Sequence, residues 1–171
     1  MDNRSFIDLI IDMPNRLLRE EGLDMDLSEK AEYAIKEKAQ APKAFDGFVN
    51  IANEYDLEGF CIGVFEFKVP HLIGDNTCFG ECDRDHVVVN GKSGEIEMLS
   101  YENLLVNMKV AQSGPQFLDA IYWTCYSLNI IGETEGLWLD NDYMMSKALE
   151  CAQLAGGQEY LGFYQTLIGV E

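Results

Sequence analysis

Three soft donors stand at regular spacing near the middle of the chain. They are Cys78, Cys82 and His86, a C-x3-C-x3-H series, with Asp83 and Asp85 between them. Thiolate and imidazole groups converging tetrahedrally are the donors that zinc takes. Positions i, i+4 and i+8 converge only on one face of a continuous helix. Gly80 and the turn-forming flanks work against a helix here, and no Cys-x2-Cys pair occurs in the chain. The expected reading is two small buried thiols and a histidine entering a strand. No metal and no cofactor are expected.

Two Asp-x-Asp pairs, Asp83/Asp85 and Asp140/Asp142, have the donors for a divalent cation. Neither opens an EF-hand loop: the sixth position lacks Gly, and the twelfth is Gly94 in one case and Cys151 in the other. Both pairs are expected as solvated loops or helix caps. The two histidines, His71 and His86, lie in no triad context. No G-x-S-x-G, Walker loop or G-x-G-x-x-G occurs. A carboxylate- or metal-dependent enzyme stays as an alternative, but nothing marks one carboxylate pair over the rest. No catalytic residue is assigned, and an enzyme is not expected.

The elements that carry these residues fall into three blocks. Phe6, Leu9, Ile10, Met13, Leu17 and Leu18 recur at spacings of three and four, which predicts a helix over residues 3–21. Pro14 kinks or restarts it, and Gly22 stops it. Further helices are expected over 29–40 and 44–55. The pattern then changes to FCIGVFEFKV, a strand over 60–69 that Pro70 ends. Leu72-Ile73 reads as a short strand before a turn at 74–76. Residues 86–90 and 95–99 read as a hairpin around Asn90-Gly91 and Ser93-Gly94. Residues 100–112 read as a connector.

Ser113 and Gln116 form a capping box, with Pro115 in the first turn of a helix over 114–131 that Gly132 stops. Phe117, Ile121, Cys125 and Leu128 define its buried face. Asp140 or Asn141 caps another helix that Gly156-Gly157 breaks, and 159–168 forms a closing helix. The expected fold is a single α+β domain, 1–171. A mainly antiparallel sheet, about residues 60–99, is packed by N-terminal and C-terminal helices.

Thirty acidic residues against twelve basic ones give a net charge of −18. Residues 1–93 carry 19 acids and 10 bases, net −9, and residues 94–171 carry 11 acids and 2 bases, also net −9. The excess is a property of the whole surface rather than of a tail. Such a field repels nucleic acid and anionic membrane and attracts basic partners. The five cysteines are odd in number and scattered, and the N-terminus lacks a basic region followed by an apolar run, so a cytoplasmic location is expected.

Aromatic residues crowd the last third of the chain, and most are expected in the core. Trp138, flanked by Glu133, Glu135, Asp140 and Asp142, is the expected exposed anchor.

A series of short motifs completes the reading: Leu72-Ile73-Gly74-Asp75, Val87-Val88-Val89, Ser93-Gly94-Glu95-Ile96, Val110-Ala111-Gln112-Ser113 and Gln116-Phe117-Leu118. Leu154-Ala155-Gly156-Gly157 with Phe163-Tyr164 extends it. In these motifs the chain resembles the SUKH superfamily over roughly half its length. The first helices depart from that pattern, with Met13-Pro14 where many members carry a Leu-Pro signal, and residues 1–56 lie outside the resemblance.

The resemblance implies an α+β protein. It further implies a non-catalytic binding module, an immunity protein that neutralises a basic polymorphic toxin. A regulatory scaffold without a toxin partner is the alternative. The expected contact residues are Glu133, Glu135, Trp138, Asp140 and Asp142.

Overall fold

A computed structural model describes residues 1–26, 30, 33–38, 47–57 and 60–170. Helix α1 spans Asn3–Arg16. The Asp2 side chain caps it, accepting from the Ser5 amide at 2.8 Å, and that bond holds the Asp2 carboxyl below its ordinary range. Phe6, Ile10, Met13 and Leu17 fall on one face and are fully buried, as the 3.6-residue period requires. Pro14 lies inside the helix. It has no N–H to bond back, and the next turn, Leu17–Glu21, widens to a π-helix. Gly22 ends it in the left-handed conformation, φ 73°, as expected.

The expected helix over 29–40 is not formed at residues 33–38, and its remaining residues except Lys30 lie outside the described residues. Tyr33 and Ile35 are buried two positions apart, which is the period of extended chain. Glu37 bridges to Tyr55, and the Lys38 amide bonds Glu54 O at 2.7 Å. Tertiary pairing overrides the helix propensity of this Ala- and Lys-rich segment. The helix expected over 44–55 is a 3-10 turn at Gly47–Asn50 followed by α2, Ile51–Glu54; residues 44–46 lie outside the described residues.

Six strands form one antiparallel meander in chain order: β1 Cys61–Ile62, β2 Phe65–Ile73, β3 Asn76–Cys82, β4 Asp85–Val89, β5 Ile96–Leu99 and β6 Val106–Ala111. The single strand expected over 60–69 is two. Gly63 sits at φ 59°, and a Cβ there would stand 2.6 Å from Leu167 O, so only glycine allows this tight turn. Pro70 does not end β2. Pairing with β3 shifts register between Phe67 and His71, and the proline falls in that gap, where no ladder donor is needed. Strands β3 and β6 replace stretches read as mixed loop and connector, so the sheet reaches residue 111 rather than 99. The hairpin expected from 86–90 and 95–99 is formed by β4 and β5, with Val87 opposite Met98.

Helix α3, Gly114–Glu133, crosses the inner face of this sheet. Ser113 occupies its N-cap, but no capping box closes on the backbone. The Ser113 hydroxyl donates instead to Gln116 Oε1 at 2.6 Å. The helix runs through Gly132 rather than stopping there. Phe117 meets Phe65, Phe67 and Phe79 edge-on, at centroid distances of 5.6, 6.4 and 5.3 Å. Phe6 of α1 joins through Phe67. Helix α4, Asn141–Ala155, packs on α3 and on α5, Leu161–Ile168, and α5 packs in turn on β6.

Glu95, just before β5, accepts from Lys109 of β6 and from the Tyr160 hydroxyl, both at 2.9 Å. The lysine bond, then the tyrosine one, holds its carboxyl below the ordinary range against the opposing effect of burial.

Two outcomes follow for stability. Phe117→Ala removes the ring that joins sheet to helices, and a loss of about 3–5 kcal/mol is expected in denaturant titration. Glu95 has its folded pKa depressed, so its contribution is present above the unfolded pKa and is lost as pH falls through the folded one. Glu95→Gln is therefore expected to be less stable than the parent at neutral pH. The difference closes below the carboxylate titration, as thermal unfolding across acid pH will read.

Candidate binding surface

The C-x3-C-x3-H series is dispersed by the sheet. A register shift between Cys78 and Gly80 turns β3 over, as a β-bulge does. Cys78 joins Val88 and Leu99 on the outer face, while Cys82 joins the main core on the inner face. Burial raises the Cys78 thiol and pushes Cys82 up to about 12, so both are thiols rather than thiolates at neutral pH. His86 is half-buried, its ring 5.9 Å from that of Tyr101. Among the described residues no three His, Cys, Asp or Glu side chains group as metal ligands.

One member of each Asp-x-Asp pair holds local structure. Asp85 accepts from the Tyr101 amide at 2.9 Å and from Asn107 Nδ2 at 2.6 Å, which fixes the β5–β6 turn to the β3–β4 turn. Asp83 sits in that tight turn at φ 56°. Asp140 caps α4, accepting from the Tyr143 amide at 3.0 Å, the role expected for it.

A cleft of about 610 Å³ opens between the start of α1, the Gly47–Asn50 turn and the start of α3. Its ionic groups are already engaged. Asp2 caps α1, Arg4 pairs with Asp8 and Glu37, and Glu54 accepts from Asn3. No nucleophile–base pair converges there among the described residues.

The connector between α3 and α4 is different in kind. Successive backbone bonds lock it: Thr134 N to Ile130 O, Leu137 N to Thr134 O, Leu139 N to Gly136 O and Asp140 N to Leu137 O, all 3.0–3.1 Å. The 3-10 turn Leu137–Leu139 puts Leu137 against the core and turns the next two residues outward. Trp138 is 62% exposed and Leu139 65%. Glu133, Glu135, Asp140 and Asp142 flank them along the chain, all exposed. Among the described residues none of the four carboxylates has an ion-pair partner, whereas Glu20, Glu66, Glu95 and Glu150 each hold a cation.

Of the sequence-predicted contact residues, Glu135, Trp138 and Asp140 lie on this connector, while Glu133 ends α3 and Asp142 lies in the first turn of α4. Leu139 was missed; its signal was an apolar residue beside Trp138 in an acidic, glycine-bearing segment.

Beneath this tip the helices are clamped by cations and aromatic rings. Trp123 stacks on Tyr126 at 5.1 Å and 16°. Arg16 lies 5.5 Å from the ring centres of Tyr122 and Tyr126 and donates to the Tyr122 hydroxyl. Lys147 of α4 lies 5.9 Å from the Trp123 ring and 5.4 Å from Tyr143. Trp123 Nε1 donates to Glu150 at 2.9 Å. The π-turn of α1 brings Glu20 and Glu21 within 3.1 and 2.9 Å of the Tyr126 hydroxyl. Burial first, then these carboxylates, holds the Tyr126 phenol well above its ordinary value. The other aromatics of this region, Tyr160, Phe163 and Tyr164, are buried in the core.

No helix among the described residues is long and apolar enough to cross a membrane. Comparison of the chain with protein-family models, with curated proteins and with solved structures finds no match in any of the three. The fold and surface define a small α+β protein that presents an aromatic and acidic tip.

The four acids are not equivalent in stability. Asp140→Ala is expected to cost about 1 kcal/mol through the lost α4 cap, while Asp142→Ala and Trp138→Ala leave the melting temperature unchanged. Thermal unfolding of the three variants checks this.

Proposed function

We propose that this chain is a non-catalytic protein-binding module that captures a basic protein, as an immunity protein neutralises a basic polymorphic toxin. One observation carries the reading. A tryptophan and a leucine are held outward on a rigid turn, amid four carboxylates that have no cation among the described residues. A large aromatic ringed by like charges is the chemistry of an anchor for a cationic surface. The −18 charge supports it, because a uniform negative field raises the encounter rate with a basic partner and repels nucleic acid. The SUKH-like motifs supply the toxin as the kind of partner.

The test is co-expression and co-purification with the toxin-like product of the adjacent gene. A complex and restored growth are expected, with an association rate that falls as salt rises. Glu133→Lys, Glu135→Lys and Asp142→Lys together slow association. Trp138→Ala weakens binding by about 2 kcal/mol or more, chiefly through faster dissociation. Asp140 is left out of the charge reversal because its loss also uncaps α4. Absence of both a complex and rescue with that product removes the proposal.

A further inference from the structure

We propose that the outer face of the sheet, beside the β5–β6 turn, docks a cationic partner segment that carries apolar side chains. The helices cover the inner face. On the outer face Cys78, Val88 and Leu99 form a separate apolar cluster with Ile73 packed against it. The β5–β6 turn folds over the edge of this cluster and is held by four backbone-directed bonds. Ser100 N bonds Leu105 O, Leu104 N bonds Ser100 O, Leu105 N bonds Asn103 Oδ1 and Tyr101 N bonds Asp85 Oδ1, each at 2.9 Å. Leu104 is held at φ 58°, a conformation bulky residues rarely take.

The result is a cleft of about 360 Å³. Ile73 and Leu99 line its floor, Leu104 forms one wall, and Asp75, Asn90 and Lys92 form the opposite rim. The rim is tightly built: a Cβ on Gly91 would fall 1.9 Å from Asp75 O, so the β2–β3 and β4–β5 turns touch only because that residue is glycine. Next to the cleft, Leu105 is 66% exposed, Val106 53% and Tyr101 63%. A run of exposed apolar residues on a fixed turn favours contact and disfavours solubility. The Nδ1 atom of His86, on the same face, is buried without a protein partner.

Charge selects the occupant. Glu66, Asp75, Glu81, Asp83, Asp85, Glu97 and Glu102 on this face and its turns stand against Lys68, Arg84, Lys92 and Lys109, seven acids to four bases, net −3. A second copy of the chain brings another −18 to this surface and is opposed by self-repulsion. A segment with basic and apolar side chains satisfies both the field and the apolar run. This surface lies across the sheet from the helices and stands independently of the Trp138 tip.

The probe is a synthetic peptide of alternating Lys and Leu, titrated into the intact 15N-labelled chain, with a Lys–Ser peptide of equal length as control. Amides of Ile73 and of residues 99–106 are expected to shift. The Lys–Leu peptide is expected to bind more than about tenfold tighter than the control, the worth of one buried leucine side chain. Leu105→Asp and Val106→Asp remove that difference at unchanged melting temperature, both side chains being exposed. If Leu105→Asp disturbs the native amide spectrum, Leu105→Ser reads the same loss without an added charge. Equal binding of the two peptides, shifts confined to residues 133–142, or unchanged binding by the variants overturns the proposal. So does a concentration-dependent dimer that Leu105→Asp dissolves, because the occupant is then a second copy.

Discussion

The contact on which the rest of the molecule depends is the edge-on meeting of Phe117 with Phe65, Phe67 and Phe79. It joins the first turn of α3 to two strands of the sheet, and Phe48 closes on the same ring at 6.0 Å. Edge-to-face geometry adds direction to burial, since each ring edge must find a neighbour's face. Fixing α3 at its start also fixes where it ends. Glu133 lies sixteen residues beyond Phe117 on the same helix, about 24 Å along its axis. The connector to α4 is therefore carried on a lever whose foot is in the core. The Arg16, Trp123 and Lys147 clamp holds the middle of that lever against α1 and α4.

Twelve bases cannot neutralise thirty acids, so where the bases go is informative. They fall at seams. Arg16 holds Glu20 beside the α1–α3 contact, Lys109 holds Glu95 between β6 and the start of β5, and Lys147 holds Glu150 on α4. Isolated exposed pairs contribute little. Those with an aromatic partner do more, because the aromatic face and the lysine or arginine stem bury apolar area together. The carboxylates around Trp138 receive none of this. Their mutual repulsion opposes folding slightly and lowers the energy of any cationic surface brought against them.

Periodicity made the helices from 114 onward legible, together with α1 and the 86–99 hairpin, because each has a regular apolar face; turn or stop glycines marked the ends of all but α3, which runs through Gly132. The remainder failed for physical reasons that sit in particular residues. Tyr33 and Ile35 are buried by pairing with a distant segment, and no local pattern encodes that. The bulge at Cys78–Gly80 breaks the alternation of β3, so its two buried thiols read as a loop. β6 exposes Val106, Asn107 and Lys109, and a strand half out of the core carries little alternation to detect. At the surface, Trp138 was readable because its acidic neighbours adjoin it in sequence. Leu104, Leu105 and Val106 were not, since what makes them notable is the absence of a covering helix.

Exposed apolar side chains on a mobile loop fold back onto the nearest apolar surface. Here they are prevented from doing so. Trp138 and Leu139 stand on consecutive tight turns in which the amides of Leu137, Leu139 and Asp140 are already paired, and the β5–β6 turn is tied down by Asp85, Asn103 and Ser100. Their ordering entropy is met during folding, as part of the cooperative unit. A partner that docks on either surface, as proposed, is spared that cost. Rigid presentation also explains why short turns rather than long loops carry these residues: a longer loop allows self-burial, and with it the negative field around the tip has nothing apolar to offer. The two surfaces lie on opposite sides of the sheet, so occupying one leaves the other open, and each has its own acidic surround to select the sign of what binds.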